Sequence, residues 1–279
     1  MTSLAPPARD EGMEAWVAAA GRKRPRFSER RLVGVLAPVV AGGIVLGAWE
    51  IAGHFINPVL ISSPQQVASD FAGQFSRGAV TSALAISLRE LYIGLAIGFV
   101  AGVLLGVVMG RYRTLNSLFS PFVNSANATP LNVLIPLLIV WVGISAEARI
   151  LFVVLITMFP VLLNTASGMQ NVSRGYVEVG QTLGMTERQL LRKVILPGAV
   201  PYIFAGARIG VALAVIGMIV GEIEVSNVGM GYLLNFYGNG FQTGDLLALI
   251  VVAALIGVVN VTIVRVLQAR FFRWTLVAR

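Results

Sequence analysis

Long apolar stretches without a charged residue alternate along the chain with short polar segments, and they predict its main elements. A charge at the centre of a bilayer costs roughly 2.5 to 3.5 kcal/mol, and about 20 apolar residues cross the hydrocarbon core as a helix. The pattern therefore predicts an all-α membrane protein, a polytopic bundle of six transmembrane helices. The predicted spans are residues 32–52, 80–110, 114–143, 149–170, 201–221 and 246–266.

Two segments outside the spans have patterns of their own. Residues 57–75 hold Val67, Phe71 and Phe75 at four-residue spacing, which is typical of an amphipathic helix lying on a membrane surface. Residues 225–244 lack charge but are rich in Gly and Asn. We therefore expect them to form an outer loop with a short amphipathic or re-entrant piece.

The composition supports a single membrane domain. Of the 279 residues, 56% are hydrophobic and only 12% are charged, against about 25% charged in soluble domains. This excludes a soluble globular protein. We expect residues 1–31 to be a basic cytoplasmic tail and residues 32–279 to be the transmembrane domain, which includes a polar loop at residues 172–200.

The distribution of positive charge predicts the orientation. The net charge of +8 could indicate a nucleic-acid partner, but most of the 21 Lys and Arg residues lie in the two termini and in alternate loops. Cytoplasmic loops of membrane proteins carry such an excess. The distribution of Lys and Arg therefore predicts that both termini and the loop at residues 172–200 are cytoplasmic. It gives no support to nucleic-acid binding.

The third predicted span is the candidate for a translocation path. It carries Pro121, Pro130 and Pro136, interleaved with polar residues that include Asn127 and Asn132. Proline frees backbone carbonyls from their helical partners, and irregular backbone at membrane depth is tolerated where it lines a water-filled cavity. Asn127, Pro130 and Asn132 are therefore candidate path residues. A kinked helix whose amides bond to neighbouring helices fits the same pattern.

The second span has a stripe of glycines. Gly94, Gly98, Gly102 and Gly106 follow at four-residue spacing, so they share one helix face. Such a face lets a neighbouring backbone approach closely. We predict a packing surface; a sliding surface for conformational change fits the same stripe.

No pattern indicates catalysis or metal binding. The chain has no Cys and one His, and Lys23 and Lys193 are not in the Gly-Lys-Ser/Thr context of a phosphate-binding loop. The acidic residues near the spans all fall close to the predicted outer boundary or in outer loops: Glu50, Glu90, Glu147, Glu222, Glu224 and Asp245. The positions of these acids disfavour the main alternative, an ion-coupled secondary carrier or channel. The lack of Cys and of clustered acids disfavours a membrane-embedded enzyme even more.

The loop at residues 172–200 predicts two short amphipathic helices. The first ends at Gly184, which suits a left-handed cap. Thr186 and Gln189 form a capping-box pattern that starts the second helix, and we expect this helix to stop before Pro197. These two short helices would be exposed inside the cell, and we predict that they form a docking surface.

This loop resembles a known family. Glu178-Val179-Gly180, then Gly184, then Val194 and Leu196-Pro197 are similar to the EAA motif of permease subunits of bacterial ATP-binding-cassette importers. Val179 and Gly180 depart from the two alanines of that motif. Ser87-Leu88-Arg89 and Gly-Met-Gly-Tyr at 229–232 resemble the nitrate/sulfonate/taurine branch.

The resemblance implies a type I importer permease fold in a bacterial cytoplasmic (inner) membrane. It implies a second permease copy in a homodimer, cytoplasmic ATPase subunits that bind the ATP, and a periplasmic or lipid-anchored solute-binding protein. The chain itself would need no cofactor. The solute would be small and anionic or polar, such as nitrate, alkyl sulfonates, taurine, aromatic acids, or pyrimidine or flavin precursors. The residues expected to couple to the ATPase are Glu178, Gly184, Leu190, Leu191, Val194, Leu196 and Pro197.

Overall fold

A computed structural model of the chain describes residues 27–57 and 59–272. The predicted basic tail up to residue 26 and the last basic residues of the chain, 273–279, lie outside these ranges. Within them the regular structure is helical, without a strand. The helices are α1 Phe27–Phe55, α2 Pro64–Ser76, α3 Ala79–Arg111, α4 Arg113–Ala128, α5 Ile135–Val142, α6 Ala146–Gln170, α7 Arg174–Thr182, α8 Glu187–Val225, α9 Met230–Asn239 and α10 Thr243–Phe271.

Five helices of the described chain are long and apolar enough to cross a membrane, namely α1, α3, α6, α8 and α10. The third predicted span is broken into α4 and α5, which meet at 92°. Thr129 is extended because Pro130 follows it. A 3₁₀ turn, Leu131–Leu134, then leads into α5, where Pro136 occupies the first turn, the position at which its missing N–H costs least.

The second helix of the loop extends further than the sequence predicts. The second helix of the loop does not stop before Pro197: α8 continues without interruption for 39 residues, from Glu187 to Val225. Its turn Leu191–Ile195 is a π-helix, in which the Leu196 N–H donates to the Leu191 carbonyl. This wider turn admits Pro197 at the beginning of the next α-helical stretch, where proline needs no N–H partner.

Helix α6 is the centre of the bundle, and α3 and α8 pack on either side of it. The glycine stripe of α3 faces α6. A Cβ on Gly98 would lie 2.7 Å from the carbonyl oxygen of Val154, and a Cβ on Gly106 would lie 2.6 Å from Cβ of Thr165. The two backbones approach so closely that only glycine fits.

Helix α1 stands apart from this bundle. Its side chains from Leu36 to Ala48 are exposed, and the helix is fixed mainly at its end, where the indole N–H of Trp49 donates to the carbonyl of Ser62 at 3.0 Å. The predicted amphipathic segment after it forms α2, capped by the Ser63 hydroxyl. The expected piece at residues 225–244 forms α9.

Candidate coupling loop and membrane path

The loop between α6 and α8 reverses direction at Gly184. This residue has φ +71°, as predicted for a left-handed cap. Its N–H donates to Gln181 at 2.9 Å, and the Met185 N–H donates to Gly180 at 3.1 Å. These bonds end α7 and turn the chain back toward the bundle.

The predicted capping box at the beginning of α8 is also present. The Gln189 N–H donates to Thr186 Oγ1 at 3.3 Å, and the Thr186 N–H donates to Gln189 Oε1 at 2.9 Å. The reciprocal pair satisfies two N–H groups that the helix itself leaves free. The turn between the two helices is therefore defined by local sequence.

The structure buries Leu190 inside the loop instead of exposing it on the loop surface. Only 7% of Leu190 is exposed. A Cβ on Gly180 would lie 2.7 Å from Cδ1 of Leu190, so the departure from alanine at Gly180 makes room for this side chain. Leu190 joins α7 to α8, whereas Leu191, Val194, Leu196 and Pro197 are partly exposed.

The exposed apolar face of the loop comes instead from α7. Tyr176, Val179 and Leu183 are 69%, 59% and 71% exposed. We call these three residues the α7 stripe. Together with Val194 and Pro197 they border a groove of about 390 Å³ between the two helices. The sequence analysis missed the stripe, although spacings of three and four residues mark one helix face.

Glu178 is exposed on α7. In the part of the chain that the structure describes, its carboxylate has no ion-pair partner, and the local contact is made by its backbone carbonyl, which accepts a hydrogen bond from the Thr182 hydroxyl at 2.9 Å. A different ion pair fixes the loop to the bundle. Arg111, at the end of α3, contacts Glu187, at the beginning of α8.

The candidate path residues lie at the break between α4 and α5. Asn127, Pro130 and Asn132 are all exposed. Asn132 lies on a cavity of about 230 Å³ that α6 and α8 also line, through Phe152 and Gly217 among others. Asn127 does not border this cavity. The structure thus brings Asn132, but not Asn127, to the surface between the broken helix and the central bundle.

The central helices also hold a group of buried charged side chains. Arg149 lies in the first turn of α6 and is 7% exposed. Its Nε and Nη2 donate to the two carboxylate oxygens of Glu90 on α3, at 2.7 and 2.5 Å. Glu222 of α8 is fully buried. These charged side chains are therefore held between packed helices and do not lie in an exposed loop.

Long membrane helices, a broken span with exposed amides and a structured loop at one end are typical of a membrane transport protein. The model of the family "Binding-protein-dependent transport system inner membrane component" matches residues 98–277. The formylaminopyrimidine transport permease ThiX of Halalkalibacterium halodurans is 30% identical over 246 residues, 88% of this chain and 98% of that protein. The putative aliphatic sulfonates transport permease SsuC of Escherichia coli K12 is 32% identical, covering 82% of this chain and 88% of that one.

A solved amino acid ABC transporter with histidines has the same fold. Its TM-score is 0.60 at 17% identity, and the match covers 72% of this chain and 97% of the solved one. The chain belongs to the family of inner membrane components of binding-protein-dependent transport systems. It is a multi-pass importer permease, and the predicted nitrate/sulfonate/taurine branch is confirmed.

Proposed function

We propose that this permease couples solute import to ATP hydrolysis on a separate subunit, which docks on the α7 stripe and the adjoining groove. The observation that carries the proposal is the stripe itself. Three large apolar side chains on a short helix outside the bilayer form an exposed patch of the kind that marks a protein interface. Gly184 and the capping box fix the turn beside it, so the patch is preorganised for a partner.

The continuity of α8 supports a mechanism of coupling. The second arm of the loop is the first part of the same helix that crosses the bundle. At 1.5 Å per residue, α8 extends roughly 58 Å, and Gly217, far along it, borders the cavity with Asn132. A displacement of the loop by the ATPase would therefore move the wall of that cavity directly.

The proposed assembly contains a second copy of the chain. The α4–α5 face carries large exposed apolar side chains next to exposed amides: Phe122 is 71%, Val133 66% and Val140 80% exposed. We propose that two such faces meet around the translocation path in a bacterial inner membrane, with both termini cytoplasmic. A solute-binding protein would deliver solute to the outer side.

The solute is proposed to be a small anionic or polar organic molecule. The two relatives described above are named for formylaminopyrimidine and aliphatic sulfonates, which share small size and polarity. The cavity at Asn132 is lined otherwise by apolar residues, which suits passage better than tight retention. Selection among such solutes would then fall mainly to the binding protein.

The test is co-purification of the ATPase subunit with variants of α7. Val179→Asp places a charge in the stripe, and we expect it to weaken association about tenfold or more. Gln181→Asp adds the same charge at an exposed position of α7 outside the stripe and is the matched control. Equal ATPase association for both variants and the wild type would contradict docking on the α7 stripe.

A further inference from the structure

Helix α9 begins without a capping side chain of its own. Its N-cap residue is Gly229, and the first N–H groups of a helix need acceptors from outside the helix. Two other helices supply them. The Met230 N–H donates to Ser87 Oγ of α3 at 2.9 Å, and the Gly231 N–H donates to Glu222 Oε2 of α8 at 2.7 Å.

Both acceptors are fully buried, since Ser87 and Glu222 are each 0% exposed. The Glu222 carboxylate lies at the positive end of the α9 dipole, where a negative charge is favourable. Its second oxygen, Oε1, has no hydrogen-bond partner within the described residues. Arg149 already binds both oxygens of Glu90. The Ser87 side chain is a further hydrogen-bonding partner of the Glu222 carboxylate, so Glu222 contacts both α3 and α9.

Two glycines let α9 approach this carboxylate. A Cβ on Gly229 would lie 2.5 Å from the carboxyl carbon of Glu222, and a Cβ on Gly231 would lie 2.4 Å from the Ile219 carbonyl oxygen. Gly229 also has φ +93°, which favours glycine. The spacing Gly-Met-Gly thus matches a close docking of the α9 backbone on α8.

Helix α9 connects the ends of three membrane helices. Met230 and Leu234, which are 0% and 9% exposed, pack in one cluster with Ala83 of α3 and Leu249 of α10. Together with the contact to Glu222, this joins α3, α8 and α10 through α9. Docked α9 therefore ties these three helix ends together.

We propose that Glu222, assisted by Ser87, is a positioning residue of the outer mouth: it holds α9 on the bundle and releases α9 when the mouth opens during transport. The two residues and the α9 N-terminus are called the outer latch. The inference rests on the proposed function as an ATP-coupled importer. It adds a residue that acts on transport through α9, without touching the solute.

The experiment measures whether α9 is docked in the full transporter, in membranes with its ATPase. The chain has no cysteine, so Ala83→Cys introduces a single thiol that α9 covers, at a position 5% exposed. Its rate of reaction with an impermeant maleimide from outside reports lifting of α9. Ser82→Cys, exposed and adjacent, is the accessibility control. Each reporter is measured without nucleotide and with ATP plus orthovanadate.

The latch predicts slow labelling of Ala83→Cys without nucleotide and faster labelling in the vanadate-trapped state. Adding Glu222→Ala should raise the nucleotide-free rate about tenfold and abolish the nucleotide dependence. Glu222→Gln retains an oxygen that accepts from Gly231, so it should restore most of the protection. Glu224→Ala, an exposed acid on the same helix, should leave both rates unchanged.

Two results would overturn the inference in distinguishable ways. Nucleotide-independent labelling of Ala83→Cys in the otherwise wild-type chain, with Ser82→Cys reacting normally, would eliminate the latch and leave the importer intact. If neither Ser82→Cys nor Ser76→Cys, an exposed position outside the predicted spans, reacted from outside in any state, the proposed orientation would be wrong, and the latch would fall with it.

Discussion

Gly184 holds the loop in a backbone conformation that is roughly 1 to 2 kcal/mol unfavourable for residues with a Cβ. No atom lies within 4 Å of the position that a Cβ would take, so the cost of a substitution is backbone strain alone. Gly184→Val should redirect the beginning of α8 and weaken ATPase association. Gly184→Asn, which tolerates this region better, should do so less.

The measurement for Gly184 is ATPase association together with thermal unfolding of the isolated permease. The bundle should remain folded, because the residue lies outside it. Gly175→Ala, in the first turn of α7, is the control and should be neutral. Wild-type association by Gly184→Val would contradict the role of the positive φ in coupling.

Asp70 of α2 gives a pH-dependent prediction. Burial, and then the neighbouring charge of Asp245, raise the pKa of Asp70, while Arg77 partly offsets the shift. Folding therefore favours the protonated form. The resulting penalty on docking of α2 is fully present above the raised pKa and disappears as the pH falls below the unfolded value of 3.8.

The substitution Asp70→Asn removes this penalty. It should raise the thermal unfolding temperature at pH 7, and the gain over the wild type should shrink as the pH is lowered toward about 4. Thermal unfolding at several pH values in detergent measures the difference. A gain that grew on acidification would show that Asp70 is stabilised in its ionised form.

At the scale of helices, the close approach of α3 to α6 predicts that an added methyl group on the glycine stripe destabilises the bundle. Gly98→Ala should separate the two helices and destabilise the bundle by about 1 to 3 kcal/mol, because its Cβ would contact backbone and not a flexible side chain. Gly47→Ala on α1 is the matched control, since no atom lies within 4 Å of that position. Thermal unfolding that is equal for both variants would contradict packing by the stripe.

Helix ends and turns were predictable where their causes are local. The cap at Thr186, the reversal at Gly184 and the amphipathic α2 follow from spacings of a few residues. The continuation of α8 through Pro197 was not predictable, because proline normally ends a helix. Only the π-turn before Pro197 makes room for it within the helix. The burial of Leu190 depends on its contact with Gly180, which the helical pattern alone does not contain.

At the scale of the whole molecule, the sequence indicates the membrane, the family and the loop, but not the contacts between distant segments. Ser87 and Met230 are 143 residues apart, and Glu90 is 59 residues from Arg149. Residues with such separations meet only when the helices pack, so the acidic residues assigned to the outer boundary could not be paired in advance. Hydropathy likewise predicts one continuous helix for the third span, whereas the structure bends it by 92° between α4 and α5.

The energy source of transport distinguishes an ATP-driven importer from an ion-coupled carrier. In the described residues Arg149 is bound by Glu90, and Glu222 accepts a hydrogen bond from the beginning of α9, so these buried charges have partners within the bundle. Uptake in cells should therefore continue when a protonophore collapses the proton gradient while ATP is held constant. It should stop when ATP is depleted with the gradient maintained, and the purified permease alone should hydrolyse no ATP.

Val179→Asp should reproduce the loss of uptake without changing the proton gradient, because it acts at the proposed ATPase contact. Uptake that follows the proton gradient at constant ATP would contradict coupling through the α7 stripe and favour a secondary carrier.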